Sequence, residues 1–425
     1  MSFNTGLSGI QAANTELDAI GNNIANASTA GFKESSVGFG AMFAANSFGV
    51  SALATGIGVN TLSVAQQFNQ GSITITGNQL DLAISGNGFF VVKSPLGTDY
   101  TRNGQFQVDS AGFINYNGAQ LQGWGVNPTT GTIEVGKLTS LQVDNSLLAP
   151  RPSDYNGGAT IVQVNLNSTN TVPVVAFTPA NPSSYNSTTS TQLYDSLGNV
   201  LTMNVYFVNT STAGSWSEYT SVSNADGTNV QWMDSTGAFT AAAVPAAATS
   251  TMAFNGSGVL ISGGTIPAGT GFTSTLGAND LKLSLDLNGT TQYGTSFAVN
   301  NVIQPGYAAS VMTQLSVNTA GVISAQFSNG QSQNLGQVAL ANFNDTQGLQ
   351  SAGGNLWSQT FTSGNATYNS PGSSNVGSIQ SQALEASNVD LTTQLVDLIT
   401  AQRYYQANSQ TLKVEEQVQQ ALNNL

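Results

Sequence analysis

The two ends of this 425-residue chain restrict its fold more than its middle does. Residues 2–24 place Phe3, Leu7, Ile10, Asn14, Leu17, Gly21 and Ile24 at alternating spacings of four and three. That spacing aligns them on one helix face suited to meeting another helix. Residues 391–425 contain neither Gly nor Pro. There Leu391, Leu395, Leu398, Ile399, Tyr405 and Leu412 form one apolar stripe, which Val414, Val418, Ala421 and Leu425 continue slightly rotated. The long middle is rich in Gly and Thr and alternates with a period near two. The expected fold is therefore mainly β: two β-rich domains, one inserted in the other, with N- and C-terminal α-helices forming a coiled-coil-like inner domain.

Charge and composition exclude whole classes of function. Only 7% of residues are charged, against roughly 25% in ordinary soluble domains, so solubility rests on Ser, Thr, Asn and Gln. Eight basic against 21 acidic residues give a net charge of −13, which disfavours nucleic acid and anionic membrane surfaces as partners. The absence of Cys and His rules out thiolate or histidine metal sites, Ser-His-Asp triads and Cys-His dyads within the chain. No enzyme activity, metal or cofactor is expected, although a carboxylate pair for glycoside hydrolysis stays open in principle. The start, Met1-Ser2-Phe3-Asn4-Thr5-Gly6, has no basic n-region and no apolar h-region, so export without a cleavable signal is expected. No stretch reaches the ~18 apolar residues of a membrane span, and no membrane insertion is expected.

Along the chain, the first helix should stop between Gly21 and Asn26, with a break completed by Ala30-Gly31. Residues 32–70 mix apolar residues with Gly38, Gly40, Gly49, Gly56 and Gly58 and suggest an extended connector. Strands are expected at 72–76, 80–84 and 88–92. Residues 105–114 and 314–323 share a strand, a turn with Gly at its third or fourth place, and a return strand; common hairpin chemistry accounts for the echo. Between Arg151 and Lys282 there is no Lys or Arg, and this stretch carries its own hairpin, residues 191–207, around Asp195-Ser196-Leu197-Gly198-Asn199. Pro150-Arg151-Pro152 marks its upstream boundary.

Four local signals bear on structure or function. Ser387 with Asp390 suggests a capping-box variant at the start of the last helix. Asn14 is either a solvated position or a buried residue that fixes register. The segment Asn26-Ala27-Ser28-Thr29-Ala30-Gly31-Phe32-Lys33 reads either as a polar helix stop with an anchoring Phe or as a functional signature. Asn224-Ala225-Asp226-Gly227 lacks the further carboxylates of a calcium loop and reads as a hairpin turn.

Asn26 to Lys33 resembles the Asn-Ala-x-Thr-x-Gly-[Phe/Tyr]-Lys signature of the bacterial flagellar rod and hook family. Four further stretches resemble that family in order: 80–92, then 100–106, then 383–391, then 401–408. The middle, notably 164–169 and 193–199, resembles the outer domain of the hook branch. The resemblance implies a structural subunit, not an enzyme, whose polymer is a curved tube joining rotary motor to filament. It implies a polymerisation interface on Phe3, Leu7, Ile10, Asn14, Leu17, Ile24, Leu391, Leu395, Leu398, Tyr405 and Leu412, with Asn26, Ala27, Thr29, Gly31, Phe32 and Lys33 as the family motif. The implied partners are copies of itself, the distal rod protein, the hook-filament junction protein, the hook cap and the flagellar type III export apparatus. The expected domains are 1–30 with 385–425 (helical polymerisation domain), 31–70 with 366–384 (connector), 71–149 with 288–365 (middle β domain) and 150–287 (inserted outer β domain). A distal rod protein of the same family and a β-rich surface adhesin remain as alternatives.

Overall fold

In the computed structural model, residues 2–43, 56–127, 130–144, 146–242, 244–245, 247–373 and 375–423 are described. The chain is mainly β with one long helix at each end, α1 (Ser2–Ala25) and α2 (Leu391–Asn423). It divides into two units: Met1–Asn145 with Thr313–Gln326 and Ser332–Leu425, and Ser146–Met312 with Phe327–Gln331. No helix is long and apolar enough to cross a membrane among the described residues.

The first unit is built around the apolar run expected at 88–92. Strand Phe89–Ser94 lies between Gly97–Thr101 and Ala119–Val126. Phe89 and Val91 pack with Tyr100, Phe343, Leu349 and Trp357 on one side. Phe90 meets Phe106 edge-on at 5.2 Å. Residues 89–92 are all buried, which is why this run reads as continuously apolar where a half-exposed strand would alternate. Leu82–Ser85 pairs with Ser378–Ser381, and Ile73–Ile75 with Ala383–Glu385, so the chain segment that leads into α2 is stitched to the body first.

The echoed hairpins do share their turn chemistry. The Asp109 carboxylate accepts from the Ala111 and Phe113 amides and Asn318 Oδ1 from the Val322 amide, while Gly112 and Gly321 take φ of 85° and 74°. Positive φ there is easiest for glycine.

Residues 32–70 are more regular than the sequence suggests. Ser35–Phe43 and Gly56–Gln66 form an antiparallel hairpin. Register shifts at Gly38/Phe39 and Met42/Phe43 break the alternation, which hides the strands from a period-two search. Strand Ser35–Phe43 borders residues 44–55, which lie outside the described residues.

The second unit holds two sheets over one core. Ser187–Tyr194, Val200–Asn209 and Ser215–Asn224 form an antiparallel meander continued by Gln231–Met233. Thr160–Asn167 centres the other sheet. Val162, Val164 and Leu166 from one sheet and Met203, Val205, Phe207 and Trp216 from the other fill the core between them. The expected hairpin forms with Leu193 opposite Leu201, and Asp195 Oδ1 accepts from the Leu197 and Asn199 amides. The 224–227 segment is a hairpin turn, with the Asn224 amide donating to the Thr228 carbonyl.

This unit extends beyond the expected boundary at 287. Thr291–Tyr293 and Ala298–Ile303 both pair with Thr160–Asn167, so residues 288–312 belong with the insertion. Leu148 bridges Ser310 and Arg151 bridges Tyr307, which brings the outgoing and returning chain side by side.

Candidate functional site

The terminal helices form an antiparallel pair through small and polar residues. Leu412 lies against Gly6 and Asn408 against Gly9, while at the other end Asn23 Nδ2 donates to Gln394 Oε1 at 3.0 Å. On α1 the seam reads Gly6, Gly9, Ala13, Glu16, Ile20, Asn23, and on α2 Gln394, Leu398, Ala401, Tyr405, Asn408, Leu412, each at alternating three- and four-residue steps. Glycine at two α1 positions lets the backbones approach; a Cβ at Gly9 would stand 2.7 Å from the Asn408 amide. Glu16 is pushed above the usual carboxylate range by burial and by Asp397 across the seam.

This seam is not the apolar stripe of α1. Phe3 and Leu7 are 45% and 40% exposed, Ile10, Leu17 and Ile24 are half-buried, and Asn14 is exposed. The helix buries Ala12, Ala13, Ile20 and Asn23 instead, a face rotated by roughly 100° at 3.6 residues per turn. On α2, Leu398 and Leu412 are half-buried and Tyr405 lies at the rim, whereas Leu391 and Leu395 are 48% and 50% exposed. The sequence-selected residues are therefore divided: Leu398, Tyr405 and Leu412 lie along the seam within one copy, and Phe3, Leu7, Leu391 and Leu395 remain exposed.

The chain leaves α1 through the Asn26–Lys33 segment. Asn26 Nδ2 donates to the Asn22 carbonyl at 3.0 Å and Asn26 Oδ1 accepts from the Thr29 hydroxyl at 3.2 Å, which stops the helix. Ala27 is half-buried beside this stop. Gly31, at φ 68°, presses on the Arg102–Asn103 backbone; a Cβ would stand 2.5 Å from the Asn103 nitrogen. Phe32 lines a cleft with Tyr116 and Trp357. Lys33 is buried and its ammonium donates to Glu385 Oε1 at 2.6 Å and to the Asn69 carbonyl at 2.7 Å. Burial pulls its pKa down, against the opposing pull of Glu385. The segment thus takes the form of the first of its two readings, a polar helix stop followed by an anchor, with Lys33 buried next to Phe32.

Four residues outside the expected interface and the Asn26–Lys33 motif complete the joint. Arg102 donates to Glu385 Oε2 at 3.1 Å and to the Gly86 carbonyl at 2.8 Å, and its guanidinium lies over the Phe89 ring. Asn388 accepts from the Glu34 amide at 2.8 Å and donates to the Gln67 carbonyl at 2.7 Å. Asn23 takes both backbone groups of Ser35 at 2.9 Å, and Gln394 donates to Glu34 Oε1. The cap of α2 is Asp390, whose Oδ1 accepts from the Thr392 and Thr393 amides at 2.8 and 3.2 Å. The expected Ser387 capping box does not form; Ser387 Oγ accepts from the Val389 amide because the helix starts four residues later, at Leu391.

Among the described residues no cluster of three His, Cys, Asp or Glu side chains is placed to hold a metal. The site is a surface and a joint.

Comparison with known proteins matches four stretches of the chain to flagellar axial proteins. Residues 3–33 match the family described as flagella basal body rod protein, 83–149 the flagellar hook protein FlgE/F/G D1 domain, 165–307 the flagellar basal body protein FlaE D2 domain, and 380–425 the flagellar basal body rod FlgEFG protein C-terminal. Lys33, Arg102 and Glu385 each fall in a different one of these stretches. The flagellar hook protein FlgE of Salmonella typhimurium is 39% identical over 432 residues, and that of Escherichia coli 38% over 433, each alignment spanning both chains completely. The FlgE of Brucella suis is 31% identical over 99% of this chain and 98% of its own. The crystal structure of Helicobacter pylori flagellar hook protein FlgE2 superposes with a TM-score of 0.50 at 13% identity, covering 74% of this chain and all of that one, a likeness of fold. The chain belongs to the flagellar hook protein FlgE family.

Proposed function

We infer that this chain is a structural subunit of the bacterial flagellar hook, polymerising into the curved, flexible tube that passes torque from rod to filament. The observation that carries this reading is the division of faces on α1. The small face is consumed within the chain, while Phe3 and Leu7 stand exposed on a helix whose neighbour is already in place. A contact of this kind between copies is heterologous, and heterologous contacts that do not close generate helical filaments.

On this reading the helices line the inner wall and the β units form the outer shells. The neighbours at the two ends are the distal rod protein and the hook-filament junction protein. Assembly proceeds under a cap, after export through the flagellar type III apparatus. The rod alternative is disfavoured by the inserted unit, Ser146–Met312, with its own two-sheet core, and by the match of 165–307 to the D2 domain family. An adhesin needs no unpartnered helical stripes at its termini.

Salting-out of purified protein followed by electron microscopy tests the reading. Tubes are expected with the intact chain and none after removal of residues 1–25. Soluble, unassociated protein at every salt and protein concentration would overturn it.

A further inference from the structure

The Glu385 side chain joins three separate segments of the chain. It sits at the end of strand Ala383–Glu385 and is fully buried. Its Oε1 accepts from Lys33 Nζ at 2.6 Å and from the Gly71 amide at 2.9 Å, its Oε2 accepts from Arg102, and its carbonyl accepts from the Gly31 amide at 2.8 Å. Those partners come from the segment leaving α1, the segment after the hairpin and the β body, while Glu385 itself lies just before α2. One carboxylate thus ties together both chain ends and the domain they extend from.

The charges are unequal. Two cations face one anion, and Arg102 Nε has no hydrogen-bond partner among the described residues. Removing Lys33 leaves a balanced pair. Removing the carboxylate leaves two buried cations without a counter-charge, the more damaging half of a broken ion pair. The Lys33 ammonium has the Asn69 carbonyl in reserve and Arg102 the Gly86 carbonyl, whereas the Gly71 amide has no acceptor other than Glu385 among the described residues.

Resting on the hook reading, we propose that Glu385 is a positioning residue for assembly: it fixes the direction in which the paired helices leave the β body. In a helical polymer the helix contacts and the β contacts of each copy must meet neighbours at the same time. A subunit whose helices swing relative to its body satisfies one set only by straining the other. The ion cluster removes that freedom within each copy before it joins the polymer.

Hydrogen exchange on the full chain tests this directly, because two backbone amides report on the residue. In Glu385→Gln, peptides covering 27–35 and 68–76 are expected to lose protection by at least about tenfold, as sub-global opening does, while peptides within 89–101 and 338–343 keep theirs. The concentration needed for polymerisation rises by at least about tenfold in the same variant. In Lys33→Met both quantities stay within about threefold of wild type, and Glu385→Asp falls between the two. Unchanged protection in Glu385→Gln overturns the proposal, as does protection lost equally throughout the β strands, which marks a general stability role. Wild-type assembly behaviour despite an opened joint also overturns it, as does Lys33→Met behaving like Glu385→Gln. Should the wild-type chain itself fail to polymerise, the hook reading falls; the joint is then judged on the exchange pattern alone, which needs no polymer.

Discussion

Asn23 on α1 and Gln394 on α2 are 371 positions apart in sequence and share a buried hydrogen bond. The Asn23 amide also holds the backbone N–H and C=O of Ser35, so one side chain joins first helix, last helix and hairpin. Asn23→Ala leaves the Ser35 groups and the Gln394 carbonyl unpaired in a buried place, which costs about 2–3 kcal/mol. Urea titration followed by circular dichroism is expected to show this as a lower midpoint with an unchanged slope.

Leu7 and Leu398 both belong to apolar stripes, yet their substitution by Asp should separate. Leu7 is exposed, so Leu7→Asp changes monomer stability by no more than about 0.5 kcal/mol and abolishes polymerisation. Leu398 lies in the seam close in sequence to Asp397, and Asp there also lowers the melting temperature, because a carboxylate in the seam is poorly compensated. Melting curves beside sedimentation distinguish the two; equal melting temperatures would refute the assigned faces.

Glu218 gives the second unit a pH dependence. It is fully buried on strand Ser215–Asn224, with one oxygen accepting from the Thr220 hydroxyl and Oε2 without a hydrogen-bond partner among the described residues. Burial pushes its pKa up to about 8 from 4.5, against the opposing effect of the Thr220 hydrogen bond. Between those values the folded unit keeps a proton that the unfolded chain has released. Stability contributed by the neutral carboxyl is therefore complete below about 4.5 and declines as pH rises towards 8, by up to about 1.4 kcal/mol per unit. Glu218→Gln should flatten that slope in thermal melts between pH 5 and 8. An identical slope in the variant would exclude Glu218 as its source.

Limited trypsin digestion should cut at Arg403 and Lys413, which are exposed on α2, well before Lys33 and Arg102, which are buried in the joint. Mass spectrometry of early fragments checks the order. A first cut at Lys33 would mean that the Glu385 cluster opens readily.

Excision of the second unit is geometrically simple, since Leu148 and Ser310 are already bridged. Replacing residues 149–309 with a short Gly/Ser linker is expected to leave tubes that are straighter or more flexible, as the helices and the first unit are retained. With no Lys or Arg from 152 to 281, this stretch cannot form Lys or Arg ion pairs between copies of itself, and polar contacts through Ser, Thr and Asn would exchange partners and water at small cost. Folded protein that forms no tubes would make the unit a requirement for assembly.

Much of this molecule is legible because local chemistry and final structure agree. The 89–92 run, the Asp195 turn and both helices are local patterns whose long-range context reinforces them. The misreadings are places where a distant partner decides. Ser387 and Asp390 both offer a cap, and only the pinning of Asn388 to Glu34 and Gln67 selects the later start. Residues 288–312 have a weak strand pattern of their own and join the insertion because Thr160–Asn167, far upstream, supplies the pairing. Glu385 enters the sequence reading only as part of the 383–391 stretch and without a role of its own, although a signal exists: in a chain with so few charges, an acid directly after Ala383-Leu384 suggests a buried counter-charge.

Strand Phe89–Ser94 has further consequences for an object that must bend at every revolution. With residues 89–92 packed on both sides, the body around them has no slack plane along which to shear, as close-packed interiors deform little. Elastic compliance is therefore excluded from the interior of the first unit. On the proposed hook reading, a tube made of such parts would change its length on the inside and outside of a bend by adjusting the gaps between subunits, and its fatigue resistance would be a property of surfaces that separate and re-form rather than of strands that stretch.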